Sequence, residues 1–243
     1  MTAHLAADRS RSEARRAPVR QALSSALDLF FPVWCAGCDR PGHALCDDCR
    51  RELTPAPRER TLEGGLRVRS AFSFEGVAAR VIRALKEDGR TALARPLGAA
   101  LSGFLPAGVT VAALPPSRAA FRRRGFDVTG LLVRRAGREP VRLLVPHRAA
   151  RDQRTLGRDE RRRNVVGAYR ARRADGHRVV LVDDVVTTGA TLVEAARVLR
   201  ADGADVVGAV TVASTPFRDA HLLLPAHRDF SRERGRDIGP ATR

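Results

Sequence analysis

Lysine is almost absent from this chain: of 44 basic side chains only Lys86 is a lysine, and the rest are arginine. A P-loop ends its glycine-rich turn on Gly-Lys followed by Ser or Thr. Lys86 is followed by Glu87, so that motif is excluded. A receiver-type domain is excluded as well, because it needs a lysine late in its sheet and none follows Lys86. No G-x-G-x-x-G follows any expected strand, which removes the dinucleotide fingerprint. Long apolar runs are missing too. The best of them, Leu27 to Trp34, is broken by Asp28 and Pro32 and falls well short of the ~20 residues that span a bilayer. Met1 to Arg20 is polar and lacks the apolar core of a secretory signal. The chain therefore reads as cytoplasmic, with no membrane insertion.

What remains is a 243-residue chain that is 44% hydrophobic, enough to bury a core and to exclude disorder throughout. Its length suits one large domain, or one domain with a small module. The net charge is +17, and its distribution says more than its total. The arginine skew itself reads as compositional drift, but Arg118 to Arg173 holds 18 arginines against five acids. Such a block attracts phosphate, on a nucleotide or on a nucleic acid, unless it is only a solvated face. Aromatic platforms for stacked bases are few there: Phe121, Phe126 and Tyr169.

All four cysteines, Cys35, Cys38, Cys46 and Cys49, fall within fifteen residues as two C-x-x-C pairs. Each pair places two thiolates on one side of a tight bend, and two facing bends complete a tetrahedron around zinc. Two disulfides are disfavoured in a reducing compartment, and a redox dithiol needs only one pair. Four thiolates leave no open coordination position, so a zinc ion here is structural.

Along the chain, residues 1–18 read as disordered, 19–54 as a helix (Val19, Leu23, Leu27, Phe30) plus the cysteine module, and 55–65 as a linker. Residues 66–214 form the main domain, and 215–243 read as a disordered tail. Strands are expected at Val68–Phe74, Val109–Leu114, Val141–Val145, Val179–Asp184 and Asp205–Ala213. Helices are expected at Gly76–Glu87, Thr91–Leu105, Phe126–Arg135 and Thr191–Arg200. The alternation argues α/β architecture with a parallel sheet flanked by helices.

The chemistry concentrates between Val179 and Thr191. A buried strand delivers Asp183 and Asp184 to the carboxyl edge of the sheet, where open α/β sheets bind ligands. The turn Thr187-Thr188-Gly189 then enters a helix at Ala190 or Thr191, so backbone N–H groups, hydroxyls and a helix N-terminus converge as a phosphate cradle. Paired acids beside such a cradle suit a ligand with both ribose hydroxyls and a phosphate.

This segment resembles the phosphoribosyl pyrophosphate (PRPP) signature of type I phosphoribosyltransferases. Together with the cysteine module after Leu-Phe-Phe-Pro, Leu85-Lys86, Pro115, Arg123-Arg124-Gly125-Phe126, Arg151-x-Gln153 and Arg161-x-x-Asn164, it resembles the competence-associated ComF family. Asp127-Val128 stand where that family usually has Asn-Gln, and Leu114 to Ser117 depart from its Pro-Val-Pro pattern. The resemblance implies a type I phosphoribosyltransferase-like domain behind a zinc module, with magnesium accompanying PRPP. It assigns Asp183 and Asp184 to the ribose hydroxyls, directly or through magnesium, and Thr187, Thr188, Gly189, Ala190 and Thr191 to the 5′-phosphate. Pro115, Pro116, Ser117 and Arg118 become the pyrophosphate side, and Arg151, Gln153, Arg161 and Asn164 part of a mobile loop. It further implies a role in natural transformation. Three readings stay open: transfer of ribosyl-5-phosphate to an acceptor; PRPP or nucleotide sensing with single-stranded DNA bound through Arg122, Arg123, Arg124, Arg134 and Arg135; and docking of a partner such as a competence helicase on the zinc module.

Overall fold

The computed structural model describes residues 33–147 and 165–216. The expected helix at 19–30, the expected loop residues Arg151, Gln153, Arg161 and Asn164, and residues 217–243 of the tail lie outside the described residues.

After a cysteine knuckle capped by α1 (Asp47–Glu52), the chain runs β1 (Arg58–Thr61), β2 (Arg67–Ser73), α2 (Gly76–Glu87), α3 (Ala94–Ser102) and β3 (Thr110–Ala113). It continues through α4 (Arg118–Arg124), α5 (Val128–Arg135), β4 (Leu144–Pro146), β5 (Tyr169–Ala171), β6 (Arg178–Val186), α6 (Ala190–Ala201) and β7 (Asp205–Ser214). Five strands form one sheet in the order β1-β2-β7-β6-β3, parallel except for β1. β4 and β5 pair as a separate antiparallel ribbon.

Strand periodicity sorts the core. Val180 and Val182 of β6 face the layer built by α2, α3 and α5, while Val179 and Leu181 face α6. Ser70 and Thr211 are in register on neighbouring strands, and their buried hydroxyls share a 2.7 Å hydrogen bond. The helices after β3 and β6 lie on opposite faces of the sheet: α5 packs with the first layer, α6 with the second. A crevice therefore opens at the carboxyl ends of β3 and β6, the topological switch point where such sheets take ligands.

Three expectations change. The stretch 55–65 is not a bare linker, because β1 pairs antiparallel with β2 from Arg58–Ser70 to Thr61–Arg67, and a short 3-10 turn follows at Glu63–Gly65. Its sequence, Arg-Glu-Arg-Thr, has no apolar alternation because it is an exposed edge strand, and charge is how edges avoid further pairing. The expected helix at Phe126–Arg135 begins only at Val128, and a separate helix, α4, precedes it. The expected strand at Val141–Val145 is displaced to Leu144–Pro146 and leaves the main sheet for the ribbon.

The knuckle is not a detached bead. Cys35, Ala36, Leu45, Cys49 and Leu53 are buried in the same apolar cluster as Val81, Ile82 and Leu85 of α2. Arg80 donates to the Gly37 carbonyl at 3.0 Å, and Arg90 donates to the carbonyls of Trp34 and Ala44.

Candidate functional site

Asp183 and Asp184 sit in the last turns of the ladder of β6, both part-buried, with β6 continuing to Val186. Their environments differ sharply. Lys86, at the end of α2, places its Nζ 2.8 Å from one oxygen of Asp184 and 2.9 Å from the other. The lone lysine thus holds both oxygens of Asp184, and among the described residues no cation pairs with Asp183 in this way. Asp183 accepts the Asp184 N–H at 2.8 Å. Burial, followed by the neighbouring charge of Asp184, pushes the Asp183 carboxyl up to about 7.

β6 then turns through Thr187 and Thr188 to Gly189, whose φ of 81° is left-handed, and α6 begins at Ala190. A side chain at Gly189 would be strained by that φ, and its Cβ would fall 2.4 Å from Leu62 Cδ1. Leu62 follows β1, so the edge strand backs this turn. Arg60 of β1 also donates to the Thr187 carbonyl at 2.7 Å. The Ala190 N–H donates to Thr188 Oγ1 at 3.3 Å.

Opposite, Leu114 to Ser117 follow β3. Ser117 caps α4 by accepting the Ala120 N–H at 3.1 Å. Asp127 caps α5 by accepting the Gly130 N–H at 3.0 Å. Between these segments lies a cleft of about 170 Å³, a volume that admits part of a ribose phosphate rather than a whole drug-sized ligand. Asp183, Asp184, Thr191, Pro115, Pro116 and Ser117 all line it, whereas Thr187, Thr188, Gly189 and Ala190 do not. Arg118 does not: it is exposed at the start of α4. Arg122, Arg123, Arg134 and Arg135 are exposed on the outer surface, whereas Arg124 lines the cleft.

Among the lining residues that escaped sequence reasoning, two are titratable. Asp127 adds a third carboxylate. Tyr169, the only tyrosine, stands on β5, and burial together with the charge of Asp183 pushes its phenol up, so it stays protonated. The uniqueness of Tyr169 was the one available signal; nothing in the sequence says that β4 and β5 fold back to the crevice.

The second cluster is the four cysteines, whose sulfurs lie within 4.8 Å of one another. A tetrahedral zinc–thiolate site has sulfurs about 3.8 Å apart, from a Zn–S bond near 2.3 Å, and Cys38 and Cys46 stand at 3.6 Å. Cys35 Sγ accepts N–H groups from Cys46 at 3.3 Å and from Gly37 at 3.4 Å. Burial would raise the Cys35 thiol, but these donors outweigh it and bring it to about 6. A Cβ on Gly37 would sit 2.6 Å from Cys49 Sγ, so only glycine fits at this bend. The donor set fits a thiophilic metal with no open position.

Residues 124–228 match the family model described as a phosphoribosyl transferase domain. The chain therefore carries a phosphoribosyltransferase domain in mixed α/β form, with a four-cysteine cluster ahead of it. Among curated proteins it is similar to the adenine phosphoribosyltransferase of Treponema pallidum (strain Nichols), 49% identical over 49 residues, 20% of this chain and 26% of that protein. It is also similar to the adenine phosphoribosyltransferase of Nitrobacter hamburgensis, 36% identical over 104 residues, 40% of this chain and 55% of that protein. The chain thus spans between about a quarter and about half the length of these relatives. Among solved structures it is similar to Mycobacterium tuberculosis H37Rv orotate phosphoribosyltransferase, at 19% identity over 69% of this chain and 79% of that one, with a TM-score of 0.30. Adenine phosphoribosyltransferase from Saccharomyces cerevisiae gives 17% identity over 70% of this chain and 89% of that one, also with a TM-score of 0.30. Among the described residues no helix is long and apolar enough to cross a membrane.

Proposed function

We propose that this is a ComF-type protein whose cleft binds PRPP or a related ribose phosphate together with magnesium. The observation that carries the reading is the meeting of Asp183, Asp184, Thr191 and Ser117 around one cleft at the switch point of the sheet. In this reading Thr187 to Thr191 hold the 5′-phosphate through hydroxyls and the backbone N–H groups that open α6. Asp183 faces the ribose hydroxyls, and Pro116 and Ser117 face the pyrophosphate, with Arg118 beside them. Carboxylate oxygens suit magnesium. Asp183 is the residue to hold it, because Lys86 already occupies both oxygens of Asp184. Bound there, magnesium would supply charge for a departing pyrophosphate.

Transfer, where an acceptor is present, breaks the bond from ribose C1 to the pyrophosphate oxygen, and the electron pair leaves on pyrophosphate. The acceptor nitrogen forms the new bond to C1 and gives up its proton to solvent. Preorganised donors such as the Ser117 hydroxyl stabilise the charge that develops. PRPP with magnesium is expected to raise the melting temperature, because a ligand at 100 times its Kd adds about 2.7 kcal/mol. An unchanged melting curve at millimolar PRPP would contradict the reading.

Structural zinc on Cys35, Cys38, Cys46 and Cys49, ahead of such a domain, supports the ComF side of the proposal and with it a role in natural transformation. Trp34 is about half exposed on the knuckle and gives a protein partner, such as a competence helicase, an apolar hold. Phe121, Arg122 and Arg123 are exposed on α4 and Arg134 and Arg135 on α5, a surface suited to single-stranded DNA. Reversing the charge of Arg122, Arg134 and Arg135 should then reduce the salt slope of DNA binding by roughly two, at ~0.7 per lost phosphate contact. A wild type without salt-dependent binding would leave the cleft as the protein's one ligand site.

A further inference from the structure

The arginines of α4 do not form one surface. Ser117, Ala120 and Arg124 recur at helical spacing and turn toward the cleft, whereas Phe121, Arg122 and Arg123 are exposed outside. Arg124 is the last residue of the helix, and Gly125, with φ 77°, ends it there. Its Nε is buried and donates no hydrogen bond. Three carboxylates, Asp127, Asp183 and Asp184, line the same cleft, yet among the described residues no ion pair joins Arg124 to any of them. Lys86 meanwhile is committed to Asp184. A guanidinium brought into a cleft with acids, and left unpaired there, is placed for an anion that arrives from solvent. Its planar fork of donors matches phosphate oxygens, which a lysine cannot do in two parallel bonds.

We infer that Arg124 receives a phosphate oxyanion of the ligand inside the cleft, at the end lined by Ser117, and is not part of a nucleic-acid surface. The inference rests on the ribose-phosphate reading and gives that site its diphosphate-facing cation. Position supports this end of the ligand: Arg124 shares its helix face with Ser117 on α4, while Thr191, the cradle residue that lines the cleft, belongs to α6. Arg124 also distinguishes ligands. A monophosphate held by the threonine turn has no group to offer it, whereas a diphosphate does.

Calorimetry on the full chain with magnesium tests this, using pyrophosphate, ribose 5-phosphate and PRPP as separate probes. Arg124→Gln is expected to weaken pyrophosphate and PRPP at least tenfold and to leave ribose 5-phosphate within twofold. Arg124→Lys should recover only part of the loss, because it restores charge without the fork. Arg95→Gln, an exposed arginine on α3, should change none of the three. Pyrophosphate and PRPP affinities equal to wild type in Arg124→Gln would overturn the inference, as would an equal loss for ribose 5-phosphate. Failure of the underlying reading looks different: wild type would bind neither PRPP nor ribose 5-phosphate, whatever Arg124 does to pyrophosphate. Should Arg124→Gln melt below the assay temperature, Arg124→Lys carries the test, and full retention of PRPP affinity by it would count against the fork.

Discussion

Asp183→Asn combined with Asp184→Asn is expected to weaken PRPP binding by at least a hundredfold while the chain stays folded. Hydrogen bonds to charged groups contribute about 1.5–3 kcal/mol each, so losing two removes roughly 3–6 kcal/mol, and each 1.4 kcal/mol is a factor of ten. The fold should tolerate the change because both acids line a cleft and neither belongs to the apolar layers. The single variants separate the two roles. Asp184→Asn strips Lys86 of its partner and should cost stability as well as affinity. Asp183→Asn should cost affinity alone. Its effect on pH dependence has a definite sign. The folded-state carboxyl of Asp183 is raised to about 7, chiefly by burial, so the native state holds a proton that the unfolded chain has already lost. Stability of the ligand-free protein should therefore fall as pH rises from the ordinary carboxylate range toward 7. Urea melts across that window should show the slope in wild type and a shallower one in Asp183→Asn. Equal slopes would show that Asp183 titrates normally.

Chelating the zinc proposed for the four cysteines, or replacing Cys49 with Ser, is expected to destabilise the whole protein and not the knuckle alone. Cys35 and Cys49 are buried in one apolar cluster with α2, and α2 carries Lys86 to the site. Structural zinc sites supply about 10–16 kcal/mol in isolated fingers. A loss here of even about 4 kcal/mol lowers the melting temperature by roughly 8–16 °C, at ~2–4 °C per kcal/mol for a chain of this size. Metal analysis should return one zinc per chain, and chelation should lower both the melting temperature and PRPP affinity. Protein purified without chelator that contains no zinc, or that melts unchanged after chelation, would contradict this.

Much of the site was legible because its signal is local. The run from Val179 to Asp184 is apolar and β-branched, then abruptly acidic, and the threonine–glycine turn follows at once, so strand, carboxylates and helix entry could be read in order. Two C-x-x-C pairs within fifteen residues were equally explicit. What escaped is held together over long range. Arg58 to Thr61 carry no apolar face, since their ladder partner and not their side chains makes them a strand. Leu62 against Gly189 and Lys86 on Asp184 join positions about a hundred residues or more apart. Arg124 is chemically identical to Arg122 and Arg123, and only the phase of α4 sends it inward. Tyr169 reaches the cleft because β4 and β5 leave the main sheet, a choice no periodicity in their three-residue strands announces.

Whether the cleft at the carboxyl ends of β3 and β6 binds PRPP, as proposed, is decided by calorimetric titration of the zinc-loaded chain with PRPP in magnesium. One site per chain is predicted, with affinity that depends on magnesium and exceeds that for ribose 5-phosphate or pyrophosphate alone. No saturable heat with PRPP, or the same affinity in the Asp183→Asn, Asp184→Asn protein, would contradict it.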